Sequence, residues 1–315
     1  PPEMHTYNRH GGKEHLDALA FLRKLNETVF RYYPDSLMIA EDSSSWPGVT
    51  APTYMGGLGF NYKWNMGWMN DMLRYMETPP EIRHSRHSLL TFSMMYAYSE
   101  NYLLPLSHDE VVHGKRSLLN KMPGTYEQKF ANLRLLFGYW TAFPGKKLLF
   151  MGGEFGQYDE WKVAASLDWP LLRFPLHDAL HRYTRQLNAL YAKKPALSEG
   201  DHSPEGYQWI DADNAEQSVV TFIRWGDKRQ SHLVVICNFS GSLYPSFRLG
   251  VPSRSTYRIL FNSDQPDFGG TGHAMPDKVK ADSRKLHGQP YSVELPVPPF
   301  TFLLLEPLRR VVVQP

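Results

Sequence analysis

The sequence predicts an α/β fold class: the C-terminal half of a (β/α)8 TIM barrel, followed by an antiparallel β-sandwich domain. Three observations predict it. Short apolar runs alternate with amphipathic helical stretches over the first two thirds of the chain, the pattern of a parallel sheet with helical crossovers. Four of those runs end abruptly in functional groups, as strands do at the active face of a barrel. From about Tyr207 the texture changes to short β-branched stretches punctuated by Gly and Pro.

Residues 15–30 read as an amphipathic helix, with Leu16, Leu19, Ala20, Leu22, Leu25 and Val29 at helical spacing. Residues 36–40 are a short buried strand that runs straight into Glu41, Asp42, three serines and Trp46. A second strand, 60–64, leads into Asn65 and a helix to about Glu77. A helical segment over 85–99 precedes the third strand, 101–106, which ends in Ser107, His108, Asp109 and Glu110. The helix over 127–140 carries Phe130, Leu133, Leu136, Phe137 and Trp140 on one side. A fourth strand, 147–151, closes on Gly152-Gly153-Glu154, and a last helix, 177–192, is stopped by Pro195. Strands over 219–225, 232–239, 257–261, 291–295 and 301–305 make the sandwich. The expected domains are therefore 1–195, a partial barrel equivalent to strands 5–8, and 205–310, the sandwich. Only four strand–helix units are visible, so the N-terminal half of the barrel is expected to be missing. An opening on Pro1-Pro2 reads as cut from something longer.

Composition narrows the function classes. Across 315 residues, 34 basic side chains face 32 acidic ones, for a net charge of +2, without the basic clustering of a nucleic-acid binder. No apolar run approaches the ~20 residues of a membrane span. Cys237 is the only cysteine, which precludes an internal disulfide and a thiolate metal site. That fits a reducing, cytoplasmic setting. Core packing accounts for most of the eight tryptophans, and the remainder suit the apolar faces of sugar rings.

Glu41 and Asp109 stand out because each follows a buried strand directly. Glycosidic cleavage needs an acid at the leaving oxygen and negative charge near an oxocarbenium-like transition state, and carboxylates fixed at strand ends meet both demands. A carboxylate in that place also caps the loop or helix that follows; the pair, flanked by Trp46, Trp64 and Trp68, favours function. A zinc reading of the cluster around Asp109 fails on spacing: His108 and His113 would point about 140° apart on a helix of ~3.6 residues per turn. No nucleophile elbow or phosphate-cradling glycine loop is present, and no cofactor is expected.

The residues also carry a resemblance. Ile39-Ala40-Glu41-Asp42-Ser43 with Trp46-Pro47 resembles the third signature segment of the α-amylase superfamily in its branching-enzyme version. Leu106-Ser107-His108-Asp109-Glu110-Val111-Val112-His113-Gly114-Lys115 resembles the fourth. Gly57-Leu58-Gly59-Phe60 with Lys63-Trp64-Asn65-Met66-Gly67-Trp68 is similar to the family's sixth-strand region. Residues 143–155 resemble its eighth strand, and Ala165-Ser166-Leu167-Asp168-Trp169 is a further family-like run. The similarity covers nearly the whole chain and fades toward residues 311–315.

The resemblance implies that Glu41 is the general acid/base and Asp109 the transition-state carboxylate, with His108 assisting. Trp46, Trp64, Asn65 and Trp68 would lie along the path of an α-1,4-glucan, the implied substrate. It implies glycogen branching, in which an α-1,4 bond is cleaved and an α-1,6 bond made with retention. The family's nucleophilic aspartate, in a segment of the type G-F-R-x-D-A-V, has no counterpart in this chain. The chain by itself is therefore expected to be inactive without its N-terminal half. Two other readings stay open: an α-glucan hydrolase of the same superfamily, and a non-catalytic glucan-binding fragment.

Overall fold

A computed structural model of the chain describes residues 6–226, 229 and 231–308. The opening Pro1-Pro2 and the 311–315 tail lie outside the described residues. Helix α1 (Leu16–Tyr32) starts at His15, whose ring accepts the Ala18 N–H. Only Asn26 on it is fully buried, and Asn26 donates to the Leu58 carbonyl at 2.8 Å. Arg23 adds donations to the Gly57 and Gly56 carbonyls at 3.0 and 2.8 Å, so the helix rests on the 56–60 turn by these polar contacts and a half-buried apolar stripe.

Four strands pair in parallel and in chain order: β1 (Ile39–Ala40), β2 (Tyr62–Trp64), β3 (Tyr102–Leu106) and β4 (Lys146–Leu149). The first is shorter than expected from the sequence. Asn61 Oδ1 takes the Met38 N–H at 2.7 Å, so that backbone group never enters the ladder. Helix α2 (Met66–Glu77) buries Trp68, Met69, Met72, Leu73, Tyr75 and Met76 against the sheet side.

The helix expected over 85–99 is instead a 3₁₀ turn (Pro80–Arg86), a single turn α3 (Ser88–Thr91) and a second 3₁₀ turn (Phe92–Met95). Ser88, Thr91 and Ser93 are weak helix formers, and Phe92 and Met95 face solvent, so no apolar stripe holds a longer helix down. After α4 (Leu118–Lys121), helix α5 (Tyr126–Ala142) is opened by a Thr125/Gln128 capping box. It is buried on nearly every side. Helix α6 (Pro175–Lys193) ends where Lys194 turns extended, and Pro195 then opens a short α7 (Pro195–Ser198).

The all-β part contains β5 (Tyr207–Asp211), β6 (Val219–Gly226), β7 (Ser231–Asn238), β8 (Tyr244–Val251), β9 (Thr256–Asn262), β10 (Lys278–Lys280), β11 (Tyr291–Val297) and β12 (Thr301–Pro307). A six-stranded antiparallel sheet, β10-β9-β12-β7-β6-β5, faces a two-stranded sheet, β11-β8. Ile223, Val234, Ile236, Leu249, Val293 and Leu303 fill the space between them. The sequence reading missed β5, β10 and β8, the last because Pro245 and Gly250 look like loop punctuation. Pro245 is tolerated since β8 pairs on one side only. At Gly250 a Cβ would stand 2.2 Å from the Leu286 carbonyl oxygen, so glycine is required by close approach rather than by a turn.

Helix α5 joins the two parts. Its outer side lies on β12 and β7, and at Gly138 a Cβ would come within 2.3 Å of the Phe302 ring. Three buried arginines cross the same junction. Arg83 donates to Asn132 Oδ1 and the Phe239 carbonyl, both at 2.8 Å, and Arg134 donates to the Ser263 carbonyl. Arg224 donates to the Ala142 carbonyl at 2.6 Å and to Asp201 at 2.8 Å. One apolar cluster runs through the junction, from Met72 and Leu104 through Phe137 to Phe222, Val235 and Phe302.

Candidate active site

Parallel pairing decides where the functional side chains go. All four strands deliver their carboxyl ends to one edge of the sheet. Glu41 follows β1 there, Asn65 follows β2, and Ser107, His108 and Asp109 follow β3. Ala40 is paired with Lys63, and Lys63 with Tyr102, so Glu41 is level with Trp64 and Leu103. Strand β3 then runs on to Leu106 before the 3₁₀ turn His108–Val111 begins. Asp109 is therefore carried farther along the strand direction than Glu41, and two strands across, or ~10 Å at the usual spacing.

Glu41 is exposed and lines a cavity of about 490 Å³. Ala18, Leu19 and Leu22 of α1, Ile39, Ala40 and Trp46 form its apolar walls, and Asp109 is not among its lining residues. A second cavity, about 540 Å³, is lined by Trp46, Trp64, Asn65, Asp71, Phe92, Tyr96 and Glu100. Trp46 belongs to both. The two carboxylates thus share a face of the sheet but not a cavity. The expectation that Trp68 touches a glucan is corrected: it is 2 % exposed, packs on Phe143 and is not among the residues lining the second cavity. As the third residue of α2 it points to the helix's buried side. Asn65 is buried too; its Oδ1 caps α2 through the Trp68 N–H at 2.9 Å, while its Nδ2 has no protein partner.

His108 Nε2 stands 3.1 Å from Asp109 Oδ1, with both side chains nearly half exposed, at 44 % and 46 %. The His108 ring lies 5.8 Å from Phe150, which follows β4. Beyond Asp109 the backbone enters the left-handed region at His113 (φ 57), Gly114 (φ 82) and Arg116 (φ 67). For the two residues that are not glycine this costs roughly 1–3 kcal/mol each, so other groups must hold the loop in shape.

Sequence reasoning missed two residues that shape the site. Lys63, almost fully buried, bonds Asp42 Oδ2 at 3.0 Å and the Ser44 carbonyl at 2.8 Å, and so fixes the loop that carries Glu41 and Trp46. Burial works against the Asp42 carboxylate, but the Ser44 N–H and Lys63 outweigh it and hold its pKa below the usual value. Glu100 accepts the Val49 and Thr50 N–H groups at 2.9 and 2.7 Å and ties down the following turn. A lysine in the middle of an otherwise apolar strand, Tyr62-Lys63-Trp64, was the available signal. Asp71, raised in pKa by burial against the opposing pull of Arg74, adds an acid to the second cavity. Among the described residues no group of three or more His, Cys, Asp or Glu side chains is placed to hold a metal ion.

The family of the α-amylase C-terminal all-beta domain matches residues 209–307. The 1,4-alpha-glucan branching enzyme GlgB of Geobacillus stearothermophilus is 57 % identical over 293 residues, 93 % of this chain and 46 % of that protein. The GlgB of Bacillus cereus strain AH187 is 56 % identical over 307 residues, covering 97 % of this chain and 48 % of its own. This chain belongs to the α-amylase superfamily. It spans about half the length of the curated relatives it matches. Superfamily membership accounts for the order of elements, a parallel sheet with helices followed by an all-β domain. Solved structures agree in fold: an α-amylase from H. orenii aligns at a TM-score of 0.60 and 14 % identity, over 96 % of this chain and 59 % of that one. A debranching enzyme from Nostoc punctiforme aligns at 0.58 and 14 %, over 91 % and 55 %. No helix among the described residues is long and apolar enough to cross a membrane.

Proposed function

We propose that this chain is the part of a 1,4-α-glucan branching enzyme that supplies the general acid/base, Glu41, and the transition-state carboxylate, Asp109. The observation that carries the reading is the delivery of both carboxylates to one end of a parallel sheet, Glu41 directly after β1 and Asp109 in the 3₁₀ turn that follows β3, in a chain 57 % identical to a protein of that name. The substrate would be an α-1,4-glucan such as glycogen, and the setting cytoplasmic.

Branching keeps the anomeric configuration, and a single displacement inverts it, so two are required. In the first, an aspartate nucleophile bonds to the anomeric carbon while the Glu41 carboxyl gives its proton to the departing glycosidic oxygen. In the second, the Glu41 carboxylate takes the proton of a glucan 6-hydroxyl, whose oxygen displaces the aspartate. Asp109, beside His108, stabilises positive charge at the ring through both steps. Trp46, Trp64 and Asn65 would hold the chain and keep water from competing with the acceptor.

The nucleophile would come from a strand outside these 315 residues, laid against the free edge of β1, which among the described residues pairs only with β2. The exposed Leu37 and Ile39 at that edge support such a neighbour. Combining the chain with its preceding segment should give loss of iodine staining and new isoamylase-sensitive linkages without a rise in reducing ends. Glu41→Gln should lower that activity by about 10²–10⁴-fold, and Asp109→Asn by about 10²–10³-fold. Branching by the 315 residues alone would overturn the need for an outside nucleophile.

The second reading, glucan binding without turnover, is favoured by the two separate cavities. Binding of maltooligosaccharide by the isolated chain, lost in Trp46→Ala, would support it.

A further inference from the structure

We infer that Glu160 is a positioning residue that clamps the loop carrying His108 and Asp109; the inference rests on the role proposed above for Asp109. Past the 3₁₀ turn His108–Val111, Val112 is extended, and His113, Gly114 and Arg116 take left-handed backbone angles. That path aims two N–H groups at the same carboxylate. Gly114 donates to Glu160 Oε2 at 3.0 Å, and Arg116 donates to Glu160 Oε1 at 2.5 Å. Each carboxylate oxygen thus takes one donor, which a neutral side chain of the same length cannot repeat.

The clamp reaches across the sheet's end, because Glu160 belongs to the segment after β4. Its neighbours grip the same loop on either side. Trp161 N–H donates to the Val111 carbonyl at 3.0 Å, while Ser117 Oγ and Asn120 Nδ2 both donate to the Tyr158 carbonyl at 2.7 Å. Trp161 also stands edge-on to Phe150 at 5.1 Å, and Phe150 is the ring beside His108. Tyr158, Glu160 and Trp161 therefore meet the loop through hydrogen bonds and, by way of Phe150, through the His108 ring. The charges that surround the clamp are Lys121 and His113 near Glu160, the Lys115–Glu110 pair at 3.8 Å, and the Arg116–Glu77 pair at 3.5 Å. The Arg116 and Gly114 N–H groups hold the Glu160 pKa below the ordinary carboxylate value, in keeping with an acceptor that stays ionised.

The test is made in the full-length protein that contains this chain, with glucan transfer and site-resolved amide exchange measured together. Glu160→Ala should lower kcat about 10–100-fold with KM within twofold, as expected when a group near the reacting centre is misplaced. Amide exchange at Gly114 and Arg116 should quicken at least about tenfold, since both N–H groups lose their acceptor. Glu160→Gln should recover part of kcat, as its amide oxygen still accepts one N–H. Asp159→Ala, next door and solvent-exposed, should change neither quantity. A Glu160→Ala enzyme with kcat within twofold of the parent overturns the inference. So does an equal loss in Glu160→Ala and Glu160→Gln that tracks a fall in Tm with exchange at Gly114 and Arg116 unchanged. If the parent transfers no glucan, the proposed function fails, and the exchange rates still decide whether Glu160 holds the loop.

Discussion

Lys147 sits in β4 with its ammonium donating to the Phe143 and Gly145 carbonyls and lying 5.6 Å from the Tyr191 ring. Burial pushes its pKa down to about 7, against the opposing pull of Asp201. An unfolded lysine titrates near 10.4. Between about pH 7 and 10 the unfolded chain therefore holds a proton the folded chain lacks, and stability rises with pH through that window. Lys147→Met should gain more, or lose less, in Tm at pH 6 than at pH 9.5; a difference independent of pH would refute the assignment. Asp201 and Arg224 nearby are both fully buried and bonded to each other. Arg224→Met leaves the carboxylate hydrogen-bonded to Lys146 and Tyr191, with Lys147 nearby, and should cost about 3–5 kcal/mol in urea unfolding. At this scale the sequence made legible which side chains stand past the strand ends, Glu41 and Asp109 among them. It was not legible where a role depends on a partner far along the chain: Lys63 stands out inside its strand without naming Asp42 as its partner, and nothing local marks Glu160 as the acceptor for Gly114 and Arg116. Trp68 misled for the same reason, since a tryptophan beside functional residues can face either side of its helix.

Among the elements, the long apolar-periodic segments came through well. Helices α1, α2, α5 and α6 and the strands β6, β7, β9, β11 and β12 lie within a few residues of their expected spans. What failed were β5, β8 and β10, strands the sequence does not announce, and the 85–99 segment, whose weak helix formers and exposed Phe92 and Met95 leave it as short turns. Helix α5 offers a direct test of packing. Gly138→Ala gains about 1 kcal/mol in helix propensity but drives a methyl into Phe302, an overpacking that costs typically 1–3 kcal/mol. The single substitution should be neutral to destabilising, and Gly138→Ala with Phe302→Leu should be more stable than the sum of the two alone. Additive effects in that double-mutant cycle would show that the contact is relieved elsewhere.

For the whole molecule, the junction matters more than the boundary between the expected domains. The apolar cluster is continuous from α2 and α5 into β6, β7 and β12, and Arg83, Arg134 and Arg224 bond across it. Calorimetry should accordingly record one transition for the chain, and a polypeptide of residues 205–308 alone should expose Phe222, Val235 and Phe302 and bind an apolar dye. Two resolved transitions would refute this. At the other end of the molecule, β1 has one margin unpaired among the described residues, and Leu37 and Ile39 stand uncovered there. Bare strand margins accept whatever extended chain arrives first. Purified at millimolar strength, the chain should scatter light increasingly with time, and a charged residue at Leu37 should slow that growth without altering the melting temperature.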